Sequence, residues 1–133
     1  MYNFRKSKKG FTLIELMVVV AIIGVLSLLG LRLYTGQQNK AKEAIVKANV
    51  GTAQTLVQAE LADGALSDVD EAVGIANLGG LRNPFNSEAA VVVASATLTP
   101  GAVQVTMSGT SYFTFRGVNA DKELFGDTLT AQR

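Results

Sequence analysis

Residues 11 to 31 read FTLIELMVVVAIIGVLSLLGL, an apolar run broken by one charge, Glu15. As a helix, about 21 residues at roughly 1.5 Å each cover about 31 Å, the thickness of a bilayer's hydrocarbon core at roughly 30 Å. The run holds 14 Leu, Ile, Val and Phe residues, each favouring insertion by roughly 0.3 to 0.6 kcal/mol, against a cost of roughly 2.5 to 3.5 kcal/mol for one acid at a helix centre. Insertion therefore wins, the more so because Glu15 lies near one end. The stretch reads as a membrane-spanning helix.

Its left flank carries Arg5, Lys6, Lys8 and Lys9, then Gly10. A secretory signal also begins with positive charge, but its apolar part runs only about 7 to 15 residues and closes on a small-residue site. Here the run is followed by RLYTGQQNK, so it is expected to stay in the protein. The basic flank puts that end in the cytoplasm by the positive-inside rule. The formal net charge of +1 hides a division: without the first ten residues, eight basic residues face 11 acidic ones, a net of about −3.

The chain has no cysteine and no histidine, which excludes disulfides, thiolate catalysis, Cys/His zinc sites and His-based triads. The carboxylates are scattered and no Gly-rich phosphate loop is present. No catalytic residue, metal site or cofactor is expected, and an enzyme is the least favoured class. No basic cluster follows Lys47, so there is no direct nucleic-acid footprint. With two prolines and no tryptophan, an aromatic sugar or peptide pocket is not expected either.

Beyond Leu31 the helical pattern continues. Residues 38 to 62 place Ala41, Ile45, Ala48, Thr52, Leu56 and Ala59 at steps of three and four, the stripe of an amphipathic helix, with Lys40, Lys42, Glu43, Lys47, Gln54 and Gln58 mostly off it. The reading is one helix from about Phe11 to about Ala62, stopped by Gly64. Its alternative is two helices joined by a linker, favoured by Gly30, Gly36 and Gly51, each costing about 0.8 to 1 kcal/mol relative to Ala. Arg32 and Tyr34 fall near the membrane edge.

Residues 64 to 88 connect helix to sheet. Ser67 is expected to cap a short helix through Ala76 with acids in its first turn, ended by Gly79 and Gly80. A metal loop of Asp68, Asp70 and Glu71 is the less favoured reading of those acids. Asn83-Pro84-Phe85-Asn86 is a turn, with Phe85 plugged against the long helix. Three strands follow at 89–97, 102–107 and 111–116, linked by hairpin turns at 99–101 and 108–110, an antiparallel meander. Val103, Val105, Phe113 and Phe115 are the core candidates. The tail, 117–133, reads as a solvated loop pinned by Leu124 and Phe125.

Residues 8 to 26, KKGFTLIELMVVVAIIGVL, resemble the processing site and N-terminal helix of type IV prepilins and the related type II secretion pseudopilins. The resemblance implies an α+β fold, a long N-terminal helix packed on a small three-stranded antiparallel sheet. Its divisions would be a leader at 1–10, a transmembrane or filament-core half at 11–32, an amphipathic half at 33–63, a connector at 64–88, a β-meander at 89–117 and a C-terminal segment at 118–133. It also implies cleavage between Gly10 and Phe11 by a prepilin peptidase that methylates the new N-terminus at Phe11. Glu15 takes the assembly and processing role and Gly24 matches the family's helix glycine. Arg32 stands where relatives often have proline, which leaves Gly30 to Gly36 as the candidate for bending. Many pilins close a C-terminal loop with a disulfide, and this chain must hold its end by packing. Asp121, Glu123 and Asp127 are similar to the calcium-binding acids of major pseudopilins, without a recognised loop spacing.

Cleavage turns the Phe11 amide into an ammonium at neutral pH, and an acid in an apolar medium needs a partner. The expectation is that Glu15 of one subunit pairs with the Phe11 amine of a neighbour. The implied partners are copies of the chain in a helical filament, the peptidase/methyltransferase, the pilus assembly machinery and the inner membrane, which holds the precursor before an extracellular pilus forms. The alternatives are a type II secretion pseudopilin and, from another class, a non-polymerising bitopic binding protein.

Overall fold

A computed structural model describes residues 10–64, 66, 68–94, 96–109 and 112–132. Helix α1 runs unbroken over Leu13–Asp63, so Gly30, Gly36 and Gly51 open no linker and the two-helix alternative is overturned. Gly64, at φ 83°, turns the chain out of the helix. The chain divides into two compact units, one ending at Gln37 and one from Gln38 onward. In the first, the described residues are exposed from Gly10 to Gln37 and helical from Leu13.

In the second unit α1 buries Val46, Asn49, Val50, Ala53, Val57 and Leu61. This corrects the expected stripe by one position, about 100° around the helix. Ala41, Ala48, Thr52 and Ala59 are exposed and Ile45 is 48% exposed, while Leu56 turns to Gly79 instead. Both stripes satisfy three-and-four spacing. The buried stripe carries four large apolar side chains, Val46, Val50, Val57 and Leu61, and the expected one two, Ile45 and Leu56, among three alanines and a threonine, so the buried stripe removes more apolar area from water.

The short helix α2 spans Val69–Leu78. Its cap is Asp68, whose side chain accepts the Glu71 N–H at 2.9 Å; the expected cap, Ser67, lies outside the described residues. Gly79 closes the helix. Asn83 then organises the connector from a buried position. Its Oδ1 accepts the Phe85 and Asn86 N–H groups at 2.9 and 3.1 Å, and its Nδ2 donates to the Pro100 carbonyl at 2.9 Å. Phe85 lies beside α1 with Lys42 Nζ 5.2 Å from its ring centre.

The sheet has four strands, not three, in the order β1-β2-β3-β4: β1 Val92–Val93, β2 Val103–Ser108, β3 Tyr112–Val118 and β4 Leu124–Gln132. Two expectations are corrected here. First, β1 is only two residues long and pairs parallel to β2. Thr99 to Ala102 form a type II turn, with Pro100 then Gly101 at φ 81° and the Ala102 N–H on the Thr99 carbonyl at 3.0 Å, as that turn requires. Yet the turn is tied to β3, through Gly101 N–H to Val118 O and Val118 N–H to Ala102 O at 3.0 and 2.9 Å, so no hairpin back to β1 can form. Second, the tail is not a solvated loop: β4 pairs antiparallel with β3. Asn119 makes that hairpin, its Oδ1 accepting the Asp121 and Glu123 N–H groups at 3.0 and 2.8 Å. The turn between β2 and β3 lies partly outside the described residues, at Thr110 and Ser111.

Val103, Val105, Phe113 and Phe115 are all buried, as expected, and meet Val50, Ala53, Val57 and Leu61 of α1 in one core with Ala72 and Ala76 of α2. The fold is α+β.

Candidate functional site at the start of the long helix

The first turn of α1 explains its own boundary. The Thr12 carbonyl accepts the Leu16 N–H at 3.3 Å, which makes Thr12 the residue flanking the helix. Its hydroxyl accepts the Glu15 N–H at 3.3 Å. Glu15 reaches back in turn, its Oε2 accepting the Thr12 N–H at 2.8 Å and the Thr12 hydroxyl at 2.9 Å. Two backbone donors that a helix start leaves unpaired are thus satisfied reciprocally, a capping box. The sequence reading singled out Glu15 and passed over Thr12, although T-L-I-E ahead of an apolar run is the signal for this motif.

Around this cap the surface is apolar. Phe11 is 90% exposed, and Leu13, Ile14, Leu16 and Met17 are exposed behind it. α1 is a helix long and apolar enough to cross a membrane. The structure therefore brings Phe11, Thr12 and Glu15 together at one end of an uncovered greasy rod, immediately after Gly10. Among the described residues the Glu15 carboxylate accepts from an amide and a hydroxyl there, both of Thr12, and the side chains behind it are apolar. Arg5, Lys6, Lys8 and Lys9 lie outside the described residues.

Gly24, Gly30 and Gly36 lie on α1 with no atom within 4 Å of where a Cβ would stand. Arg32 and Tyr34 are exposed between the last two. The acids weighed as metal ligands have other placements. Asp68 caps α2, Asp121 and Glu123 lie in the Asn119 turn, and Asp127 is exposed on β4. Among the described residues no three acids come together to hold a metal ion.

Residues 5–31 match the family model for the prokaryotic N-terminal methylation motif. The chain is 32% identical to fimbrial protein Q of Moraxella bovis over 134 residues, covering 96% of this chain and 80% of that protein. Over 63 residues it is 46% identical to fimbrial protein EcpB of Eikenella corrodens, covering 47% of this chain and 40% of that one. It is 31% identical to the type IV major pilin protein PilE of Neisseria gonorrhoeae over 125 residues, 92% of this chain and 65% of PilE. No solved structure gives a significant match.

Proposed function

The chain belongs to the type IV pilin family, a pilin subunit and not an enzyme, and from that premise we propose that it is made as a prepilin in the inner membrane, cut between Gly10 and Phe11, N-methylated on Phe11 and polymerised through α1 into an extracellular type IV pilus. The observation that supports this most is an apolar helix, exposed from Phe11 to Gln37, whose lone acid stands at its first turn beside the Phe11 position.

Cleavage leaves an ammonium on Phe11, one residue ahead of the Thr12 cap. The start of a helix already carries partial positive charge, so the new cation needs an anion, and in an apolar bundle it needs it more than in water. Both bonds from Thr12 end on Oε2 of Glu15. Oε1 takes neither of these bonds and is left to accept the Phe11 ammonium of a neighbouring subunit, and each added copy settles at the height where that pair forms. Gly24, Gly30 and Gly36 give the helix places to adjust as it leaves the bilayer for the bundle. The implied partners are other copies of the chain, the prepilin peptidase/methyltransferase, the assembly machinery and the inner membrane.

Intact mass and N-terminal sequencing of protein sheared from the cell surface test the reading. A chain beginning at methylated Phe11 and recovered in fibres is expected; a surface protein that still begins at Met1 overturns it. Glu15→Leu is expected to be processed and to yield few fibres. Long surface fibres distinguish the pilus from a short periplasmic pseudopilus.

A further inference from the structure

The sheet of the second unit has two margins, β1 and β4, and a helix side chain is hydrogen-bonded to the main chain of each. On the β4 side, Gln58 Nε2 donates to the Gln132 carbonyl at 2.9 Å while the Gln132 N–H donates to Gln58 Oε1 at 3.1 Å. Gln54 Nε2 donates to the Thr130 carbonyl at 2.6 Å. On the β1 side, Asn77 Nδ2 donates to the Val92 carbonyl and the Val92 N–H donates to Asn77 Oδ1, both at 3.0 Å. Each reciprocal pair has the donor-and-acceptor pattern of a strand neighbour.

These are the outward-facing groups. The Val103 N–H bonds the Val91 carbonyl, so in a parallel pair the main chain of Val92 points away from β2. On β4 the groups alternate, and Thr130 and Gln132 point away from β3. The geometry suits a helix: four residues of α1 rise about 6 Å, and two residues of strand advance about 6.8 Å, so Gln54 and Gln58 meet alternate strand residues one for one. The rest of β4 is unsuited to pairing. Between Phe115 and Gly117 of β3 the register jumps from Leu129 to Phe125, with Gly126 at φ 77°, and such a bulge ends a usable edge. β1 is two residues long.

We propose that Gln54, Gln58 and Asn77 are edge blocks, side-chain amides that occupy the outward main-chain groups at both margins of the sheet and keep a strand of a second copy from pairing there. The need for such blocks rests on the filament reading, in which globular parts of many copies stand at high local concentration.

The test uses the full chain in detergent micelles, wild type beside Q54L/Q58L and Q54L/Q58L/N77L, and reads mass by light scattering and intermolecular strands by isotope-edited infrared spectroscopy. Opening one margin is expected to give a discrete pair of copies joined through β4, and opening both is expected to give larger species. Amide exchange at Gln132 is expected to rise at least tenfold in Gln58→Leu before any association. Variants that remain folded and no more associated than wild type overturn the proposal. If the triple variant fails to fold, Gln58→Leu alone decides by the same two readings. None of these readings requires fibres, so a failed filament reading leaves them intact, and failed blocks leave the mass and N-terminus of surface protein unchanged.

Discussion

Val46 Cγ1 on α1 lies 2.8 Å from the point where a Cβ on Gly117 of β3 would stand, and Phe125 Cε1 lies 3.0 Å from the same point. Neither neighbour can move freely, since Val46 is fully buried and Phe125 is held on β4 under Lys47. Gly117→Ala is therefore expected to push helix and sheet apart and to destabilise the second unit by about 1 to 3 kcal/mol. Urea unfolding of the full chain in micelles, followed by far-UV circular dichroism, measures it. The same change in a Val46→Ala background should cost less, because truncation removes the nearer of the two clashes. Equal costs in both backgrounds would remove Val46 as the cause.

Asn83 fastens the connector to the turn that leads into β2 by hydrogen bonds to three main-chain groups. Asn83→Leu keeps the branching of the side chain, strips two N–H groups and one carbonyl of their partner, and is expected to cost about 2 to 4 kcal/mol. Asn83→Asp keeps the acceptor and loses the donor to Pro100, so its Phe85 and Asn86 amides should stay protected from exchange while the Pro100 turn loosens. If Asn83→Leu unfolds at the wild-type urea midpoint, the side chain holds nothing.

Much of this fold is written locally. The apolar run, the Gly64 stop, the Asp68 region and the alternation of Val103, Val105, Phe113 and Phe115 each follow from a few neighbouring residues. The buried face of α1 does not, because Ile45-Ala48-Thr52 and Val46-Val50-Ala53 obey the same spacing, and they are separated only by weighing the bulk each whole stripe brings to the sheet. β4 was hidden for a similar reason. Leu124 to Gln132 contains Gly126 and Asp127, which break alternation, and its pairing partner is supplied from β3. At the candidate site the resemblance names Gly10, Phe11 and Glu15, and the T-L-I-E spacing carries the signal for the Thr12 cap that the geometry shows.

The Thr12 cap can be separated from the assembly role proposed for Glu15. Thr12→Val preserves shape and removes the hydroxyl that both accepts from and donates to Glu15. The helix start is expected to lose about 0.5 to 2 kcal/mol, visible as faster amide exchange at Glu15 in nanodiscs. Thr12→Ser should restore it. Unchanged exchange in Thr12→Val would mean that the apolar environment alone sets where α1 begins.

Gly30 and Gly36 are the positions where the proposed assembly would bend α1. With no atom within 4 Å of either added Cβ, alanine meets nothing in the subunit and favours helix by about 0.8 to 1 kcal/mol at each position. The double variant G30A/G36A is expected to show slower amide exchange around Arg32 and Tyr34 and an undiminished level of precursor in the membrane. If this segment gives way when a subunit enters the fibre, that same stabilisation opposes assembly, by about tenfold in rate for roughly 1.4 kcal/mol. Fibre yield should then fall in G30A/G36A and recover when Gly36 is restored. A double variant with slowed exchange and full fibre yield would show that the helix enters the fibre without bending there, and would leave Gly24 as the remaining candidate.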